Sequence, residues 1–154
     1  MPNIVIIGSG PAGVSAALYA VRAGVDTTVL TKGPGALERA EKIENYYGFA
    51  EPVSGAELEH RSIANAKRLG VHFVAAEAVG LTYTDQLTVE TLAGDYLADA
   101  VILATGATRA TPALPGLAGL EGHGVSWCAA CDAFFYRGKD VAVLGSGEYA
   151  LHEV

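Results

Sequence analysis

The first apolar run along the chain is short and unbroken. Residues 4–7 read Ile-Val-Ile-Ile with no polar alternation, which predicts a strand buried on both faces. A glycine-rich turn follows, Gly8-Ser9-Gly10-Pro11-Ala12-Gly13, and leads into an alanine-dense helix over 11–23 that Gly24 ends as a C′ residue. Residues 27–31 read as the next strand, completing a β-turn-α-β unit. Residues 31–52 are a long connection with Gly33-Pro34-Gly35 near its start, and connections of that length are usually functional. Ser54 and Glu57 spell a capping box. The helix they open carries Leu58, Ile63, Ala66 and Leu69 on one side and stops at Gly70. Short apolar runs at 71–75, 79–83 and 87–91 predict a small meander. Residues 99–105 predict a second buried parallel strand ending at Gly106. Prolines and glycines then crowd residues 111–124, which reads as a linker. Beyond it, a strand is expected at 141–144, followed by a second glycine turn, Gly145-Ser146-Gly147-Glu148-Tyr149-Ala150.

This order predicts an α/β fold: a Rossmann-like, three-layer first domain with a small β-meander, then the start of a second Rossmann-like domain. The expected division is 1–111, a hinge at 112–124, and 125–154. At 154 residues and 51% hydrophobic content the chain can build a real core. A formal charge of -7 disfavours nucleic acid as a partner. No stretch approaches the ~20 apolar residues of a membrane span, and residues 1–10 lack the basic start of a signal peptide. Two cysteines in a chain of this length do not make a secreted disulfide scaffold, so the cytoplasm is the expected location.

The spacing of the first glycine turn has a mechanical reason. Gly8 permits the tight turn, Gly10 lets a pyrophosphate approach the backbone, and Gly13 lets the helix pack on the strand. The helix N-terminus then offers free N–H groups and partial positive charge to the phosphates. A ribose-binding acid is expected about 20 residues on. Thr31 and Lys32 stand there instead. Asp26 is at the wrong end of its strand, and the sequence does not place Glu38 or Glu41.

Cys128-Ala129-Ala130-Cys131 puts two sulfurs within bonding reach across one turn. A disulfide closing so short a loop stabilises by only roughly 2 kcal/mol, which suits a redox switch better than a staple. A zinc site would need two further ligands, so no metal is expected, and two inert buried cysteines are the plain alternative. Asp132 does not acidify a neighbouring thiol. It suits protonation of a leaving thiolate, or simply capping of the turn.

With both glycine turns, the Cys-x-x-Cys-Asp block and their order in place, the chain resembles the low-molecular-weight flavoprotein thioredoxin reductases. The carrying segments are Gly8 to Gly13, Glu44-Asn45-Tyr46, Ala104-Thr105-Gly106-Ala107, Gly124-Val125-Ser126-Trp127-Cys128-Ala129-Ala130-Cys131-Asp132, Phe134-Phe135-Tyr136-Arg137 and Gly145-Ser146-Gly147. The resemblance implies electron flow from FAD through a Cys128–Cys131 disulfide to thioredoxin or a similar protein. It places Cys131 against the flavin, Cys128 toward the substrate disulfide, and Asp132 as acid/base. Cofactor contacts are implied at Gly8, Ser9, Gly10, Pro11, Ala12, Gly13, Thr31, Leu37, Asn45, Ala104, Thr105 and Gly106. A second nucleotide contact is implied at Gly145 and Gly147. Family members are usually homodimers.

Three positions depart from the family pattern: Tyr47 for a usual proline, Ala36 for a common glutamine, and Tyr149 where a small residue usually opens the second helix. The segment around Tyr149 resembles a branch that takes electrons from ferredoxin and not from NADPH. Only nine residues follow Gly145, whereas a βαβ unit takes about 30. The chain is therefore expected to be an N-terminal half that alone does not turn over. A flavin-binding module without catalysis, a peroxiredoxin reductase and a small-molecule dithiol oxidase remain alternatives.

Overall fold

The computed structural model describes residues 1–107 and 112–152. Thr111, at the start of the expected linker, and residues 153–154, within the expected last segment, lie outside the described residues. Two compact units form, Met1–Thr108 and Arg109–Val154.

The first unit runs β1 (Asn3–Ile7), α1 (Pro11–Arg22), β2 (Asp26–Thr31), a 3-10 turn (Ala36–Arg39), α2 (Gly55–Arg68), β3 (His72–Ala75), β4 (Ala78–Tyr83), β5 (Leu87–Thr91), β6 (Tyr96–Ala98) and β7 (Ala100–Leu103). Strands β3-β2-β1-β7 form one parallel sheet, and β4-β5-β6 form an antiparallel one. Successive side chains of a strand point to opposite faces, and that alternation builds three layers. Ile6 and Val29 face the helices and pack with Val14, Ala17 and Ala66. Val5 and Leu30 face the other way, onto Val89 and Ala98 of the meander. The unbroken apolar run thus serves two cores at once.

Ser54 caps α2 as its spelling predicts, its Oγ accepting from the Glu57 N–H at 3.2 Å. The reciprocal half of the box is replaced by an ion pair between Glu57 and Arg61. Asn3 and Asp99 tie the two sheets together. Each side chain accepts from the other's backbone N–H, at 2.8 and 2.9 Å, and Asn3 Nδ2 donates to the Leu97 carbonyl.

Four expectations need correction. The run at 71–75 is not in the meander. The α2 crossover returns the chain so that β3 lies parallel to β2, as a helical connection requires. The third meander strand is Tyr96–Ala98, hidden in the sequence because only Asp99 separates it from β7. The strand at 99–105 is shorter, and it is an edge strand, with Leu103 66% exposed. Leu69 is the C-cap of α2 and is exposed, not part of its apolar face.

The second unit holds a 3-10 turn (Leu117–Leu120), α3 (Ala129–Asp132), a 3-10 turn (Ala133–Tyr136) and α4 (Glu148–His152). The strand expected at 141–144 does not form. Those residues are exposed and, among the described residues, none belongs to a strand ladder. An apolar run without a hydrogen-bonding neighbour has nothing to make it a strand. Among the described residues no helix is long and apolar enough to cross a membrane.

Candidate functional site

Three chain segments converge at the carboxyl ends of the parallel strands. The Gly8 N–H donates to the Leu30 carbonyl at 2.8 Å, and the Ala104 N–H donates to the Ile7 carbonyl at 2.9 Å. Gly8 sits at φ +114°, and a Cβ there would strike the Ala104 carbonyl. A Cβ on Gly13 would strike the Gly8 carbonyl and press on the Ala104 methyl. The turn is therefore closed behind by Gly8, Gly13 and Ala104. Gly10 differs: a Cβ there would meet nothing within 4 Å. It would project into the open space that a pyrophosphate needs.

The start of α1 points to the same ligand. Pro11 occupies the first helical turn, no acidic residue stands in it, and no side chain caps Gly10. The N–H groups of Ala12 and Gly13 have no carbonyl four residues back within the helix, so the positive end of the helix is left open to an anion. Pro11 and Ala12 are exposed. These residues fit a dinucleotide pyrophosphate.

The adjoining end of β2 is polar. The hydroxyls of Ser9, which is buried, and Thr31 share a hydrogen bond of 2.7 Å. Thr31 Oγ1 also lies 3.2 and 3.3 Å from the Gly33 carbonyl and N–H. Asp26 is at the far end of the strand, in register with Asn3. Lys32 turns to an exposed ion pair with Glu77 at 3.0 Å. A cavity of about 290 Å³ opens beside Ser9 and Thr31, walled by Glu38, Glu59 and His60. Glu38 arrives there because the 3-10 turn lies flat on the start of α2. Gly55 makes that possible, since a Cβ on it would strike the Leu37 carbonyl, and its N–H donates to the Ala40 carbonyl at 2.7 Å. A wider hollow of about 630 Å³, between residues 48–54 and Arg61, includes no part of the glycine turn.

Burial, and then the Glu38 carboxylate, push the Glu59 carboxyl above its ordinary value of 4.5, while a Gly35 N–H pulls the other way. The folded state therefore holds this proton more tightly than the unfolded chain does. Stability from this group is complete below the unfolded value and falls as pH rises through the folded one. Glu59→Gln is expected to raise the melting temperature near pH 7 and to leave it unchanged below about pH 4. Thermal unfolding at the two pH values checks this, and an equal shift at both would contradict it.

The second unit carries the dithiol. Cys128 and Cys131 form a disulfide with Cα atoms 5.3 Å apart. The turn is closed by the Cys128 carbonyl, which accepts from the N–H groups of Cys131 at 3.2 Å and Asp132 at 3.1 Å. Cys128 is half-buried and Cys131 exposed. Ser126, one of the residues carrying the resemblance but given no role from sequence, is the organiser. Its Oγ donates to Asp132 Oδ2 at 2.6 Å and accepts from the Cys128 N–H at 3.1 Å. No short-range spelling reveals a serine–aspartate bond across six residues, because it exists only once the turn has formed. Gly145 and Gly147 are exposed, and the Gly147 carbonyl accepts the Leu151 N–H of α4 at 3.3 Å. The Tyr149 hydroxyl donates to the Trp127 carbonyl at 3.3 Å. That bond ties the second glycine turn to the residue before Cys128.

The other expected contacts are dispersed within the first unit. Leu37 is half-buried, and Asn45 is exposed in the long connection. Thr105 and Gly106 are exposed just beyond β7, Gly106 at φ +73°.

Residues 2–153 match the profile of the pyridine nucleotide-disulphide oxidoreductases. Among curated proteins, a thioredoxin reductase of Streptomyces coelicolor is 41% identical over 98% of this chain and 48% of its own length. One of Bacillus subtilis is 36% identical with the same coverage. The chain thus spans about half the length of the curated relatives it matches. Among solved structures, the atypical thioredoxin reductase TRi of Desulfovibrio vulgaris Hildenborough is 42% identical, covers 99% of this chain and 52% of its own, and superposes with a TM-score of 0.66. The thioredoxin reductase of Streptococcus pyogenes MGAS5005 is 35% identical, covers 97% and 50%, and superposes with a TM-score of 0.85. With its first glycine turn and its cysteine pair both inside the matched residues, the chain belongs to the pyridine nucleotide-disulphide oxidoreductase family.

Proposed function

We propose that this chain carries the FAD site and the redox dithiol of a flavin-dependent disulfide reductase whose substrate is thioredoxin or a similar protein disulfide. The observation that carries the reading is a Cys128–Cys131 disulfide in a chain whose glycine turn fits a dinucleotide pyrophosphate. A bound FAD, once reduced by an external electron donor, would supply the electron pair. The chain's residues do the rest. Gly10 and the α1 N-terminus hold the pyrophosphate, with Gly8 and Gly13 fixing the turn. Thr31, Leu37, Asn45 and residues 104–106 border the remainder of the cofactor.

Two electrons and two protons convert the Cys128–Cys131 bond to two thiols. Cys131, the more exposed of the pair, is the sulfur presented to the flavin. The Cys128 thiolate then attacks a substrate disulfide and forms a mixed disulfide. Cys131 attacks that bond, the intramolecular disulfide returns, and the substrate leaves with two thiols. Asp132, held by Ser126, delivers and recovers the proton at the leaving sulfur.

Tyr149 favours a ferredoxin-type donor over NADPH. Its side chain stands in the second glycine turn, bonded to the Trp127 carbonyl, where a pyridine nucleotide would need an open backbone. The test is direct. The purified protein is loaded with FAD, desalted and scanned, and the flavin bands are expected to stay with the protein. Adding NADPH anaerobically is expected to leave those bands unbleached. A colourless protein after desalting would end the FAD reading, and rapid bleaching would end the ferredoxin-type one.

A further inference from the structure

The Cys128–Cys131 turn is also held by bonds that do not pass through sulfur. The Cys128 carbonyl accepts the N–H groups of Cys131 at 3.2 Å and Asp132 at 3.1 Å. Ser126 Oγ accepts the Cys128 N–H at 3.1 Å. Its hydroxyl has one hydrogen to give and two acceptors in range, Asp132 Oδ2 at 2.6 Å and the Cys128 carbonyl at 3.3 Å. The shorter bond, to a charged oxygen, takes it, since the Cys128 carbonyl is already served by two N–H groups. Ser126, Cys128 and Asp132 are all half-buried, whereas Cys131 is exposed. One hydroxyl therefore joins the Asp132 carboxyl to the backbone of Cys128, and opening the sulfur–sulfur bond removes none of these contacts.

We propose that Ser126 is a positioning residue for the open, dithiol form of this turn: it keeps the Asp132 carboxyl beside Cys128 after the disulfide is cleaved, and so favours alkyl disulfides, the kind proteins carry, over disulfides of acidic thiols. This rests on the reading of Cys128 and Cys131 as a redox dithiol. The Cys128 thiolate attacks one substrate sulfur, the substrate bond breaks, and the departing thiolate takes the Asp132 proton. Asp132 then takes the proton of the Cys131 thiol, Cys131 attacks the mixed disulfide, the Cys128–Cys131 bond forms, and the second thiolate leaves with that proton. The dithiol has given up two electrons and two protons, and the substrate disulfide has become two thiols. An alkyl thiolate is a poor leaving group and gains from a proton delivered as it departs, whereas an aromatic thiolate of low pKa leaves unaided. With Oδ2 held by Ser126, Oδ1 is the oxygen that carries the proton.

The experiment uses the full chain without flavin. Its disulfide is reduced with dithiothreitol, the reductant is removed anaerobically, and closure of the Cys128–Cys131 bond is followed by acid quench and thiol alkylation. Hydroxyethyl disulfide is the alkyl probe and dithiobis-nitrobenzoate the aromatic one. Ser126→Ala is expected to slow closure by the alkyl probe about tenfold, as loss of a hydrogen bond to a charged group implies, and by the aromatic probe less than about twofold. Ser126→Thr is expected to restore the alkyl rate. Beside Asp132→Asn, Ser126→Ala is expected to cost nothing more, because it acts through that carboxyl. Equal losses with the two probes, or a Ser126→Ala loss that persists beside Asp132→Asn, would make Ser126 a structural residue only and overturn the proposal while the dithiol reading stands. So would an alkyl rate unchanged in Ser126→Ala, or a Ser126→Thr protein no faster than Ser126→Ala. A wild-type chain whose two thiols close no bond with either probe overturns both.

Discussion

Gly8→Ala is expected to destabilise the first unit by about 3 kcal/mol or more, while Gly10→Ala, two residues away, leaves its stability almost unchanged. At Gly8 two costs add. Its φ of +114° is strained for any residue with a side chain, at roughly 1–3 kcal/mol. The new methyl would also strike the Ala104 carbonyl, and overpacking typically costs about 1–3 kcal/mol more. Total stability for a domain of this size is about 5–15 kcal/mol, so much of the margin is lost. At Gly10, φ is -68° and the added methyl meets open space. Its effect appears only when a pyrophosphate needs that space. Urea unfolding of both variants, paired with FAD titrations, separates the two. Gly8→Ala is expected to unfold early, and Gly10→Ala to fold normally and bind FAD weakly. A stable Gly8→Ala protein would show that the turn is not closed by Ala104. A Gly10→Ala protein with undiminished affinity would show that the pyrophosphate lies elsewhere.

Cys131→Ser is expected to abolish electron transfer from pre-reduced flavin to a disulfide substrate, by at least roughly a thousandfold, with folding and flavin binding retained. An alcohol cannot form the sulfur–sulfur bond whose cleavage takes up the electron pair, so no partial route remains through this turn. Asp132→Asn is expected to be milder, about a hundredfold or more, because it removes only the proton carrier. The opposing view makes the cysteines a staple. A four-residue loop is worth only roughly 2 kcal/mol, and in that case Cys131→Ser would lower stability while the rate persisted. Stopped-flow transfer from dithionite-reduced flavin to oxidised thioredoxin distinguishes the two.

The parts of the fold that sequence displays are those with a local cause. The β1 run, the glycine turn and the Ser54 cap are written in adjacent residues, and each forms where its spelling places it. The parts it conceals depend on partners far along the chain. Residues 72–75 are apolar enough for either sheet, and only the α2 crossover assigns them to the parallel one. Residues 96–98 are too few to announce a strand, yet Val89 and Asn3 hold them in place. Residues 141–144 have every local mark of a strand and no neighbour among the described residues. The site divides the same way. The glycines and the cysteine pair are legible because their spacing is their mechanism. Glu38 is illegible because its position depends on a 3-10 turn resting on Gly55, and Ser126 because its bond spans the folded turn.

The most direct test of the central claim is an anaerobic reductive titration of the FAD-loaded protein beside its Cys131→Ser variant. With flavin and disulfide acting as one redox unit, the protein is expected to take up about four electrons and the variant about two. Equal uptake by both would mean that the Cys128–Cys131 bond takes no part in the electron path.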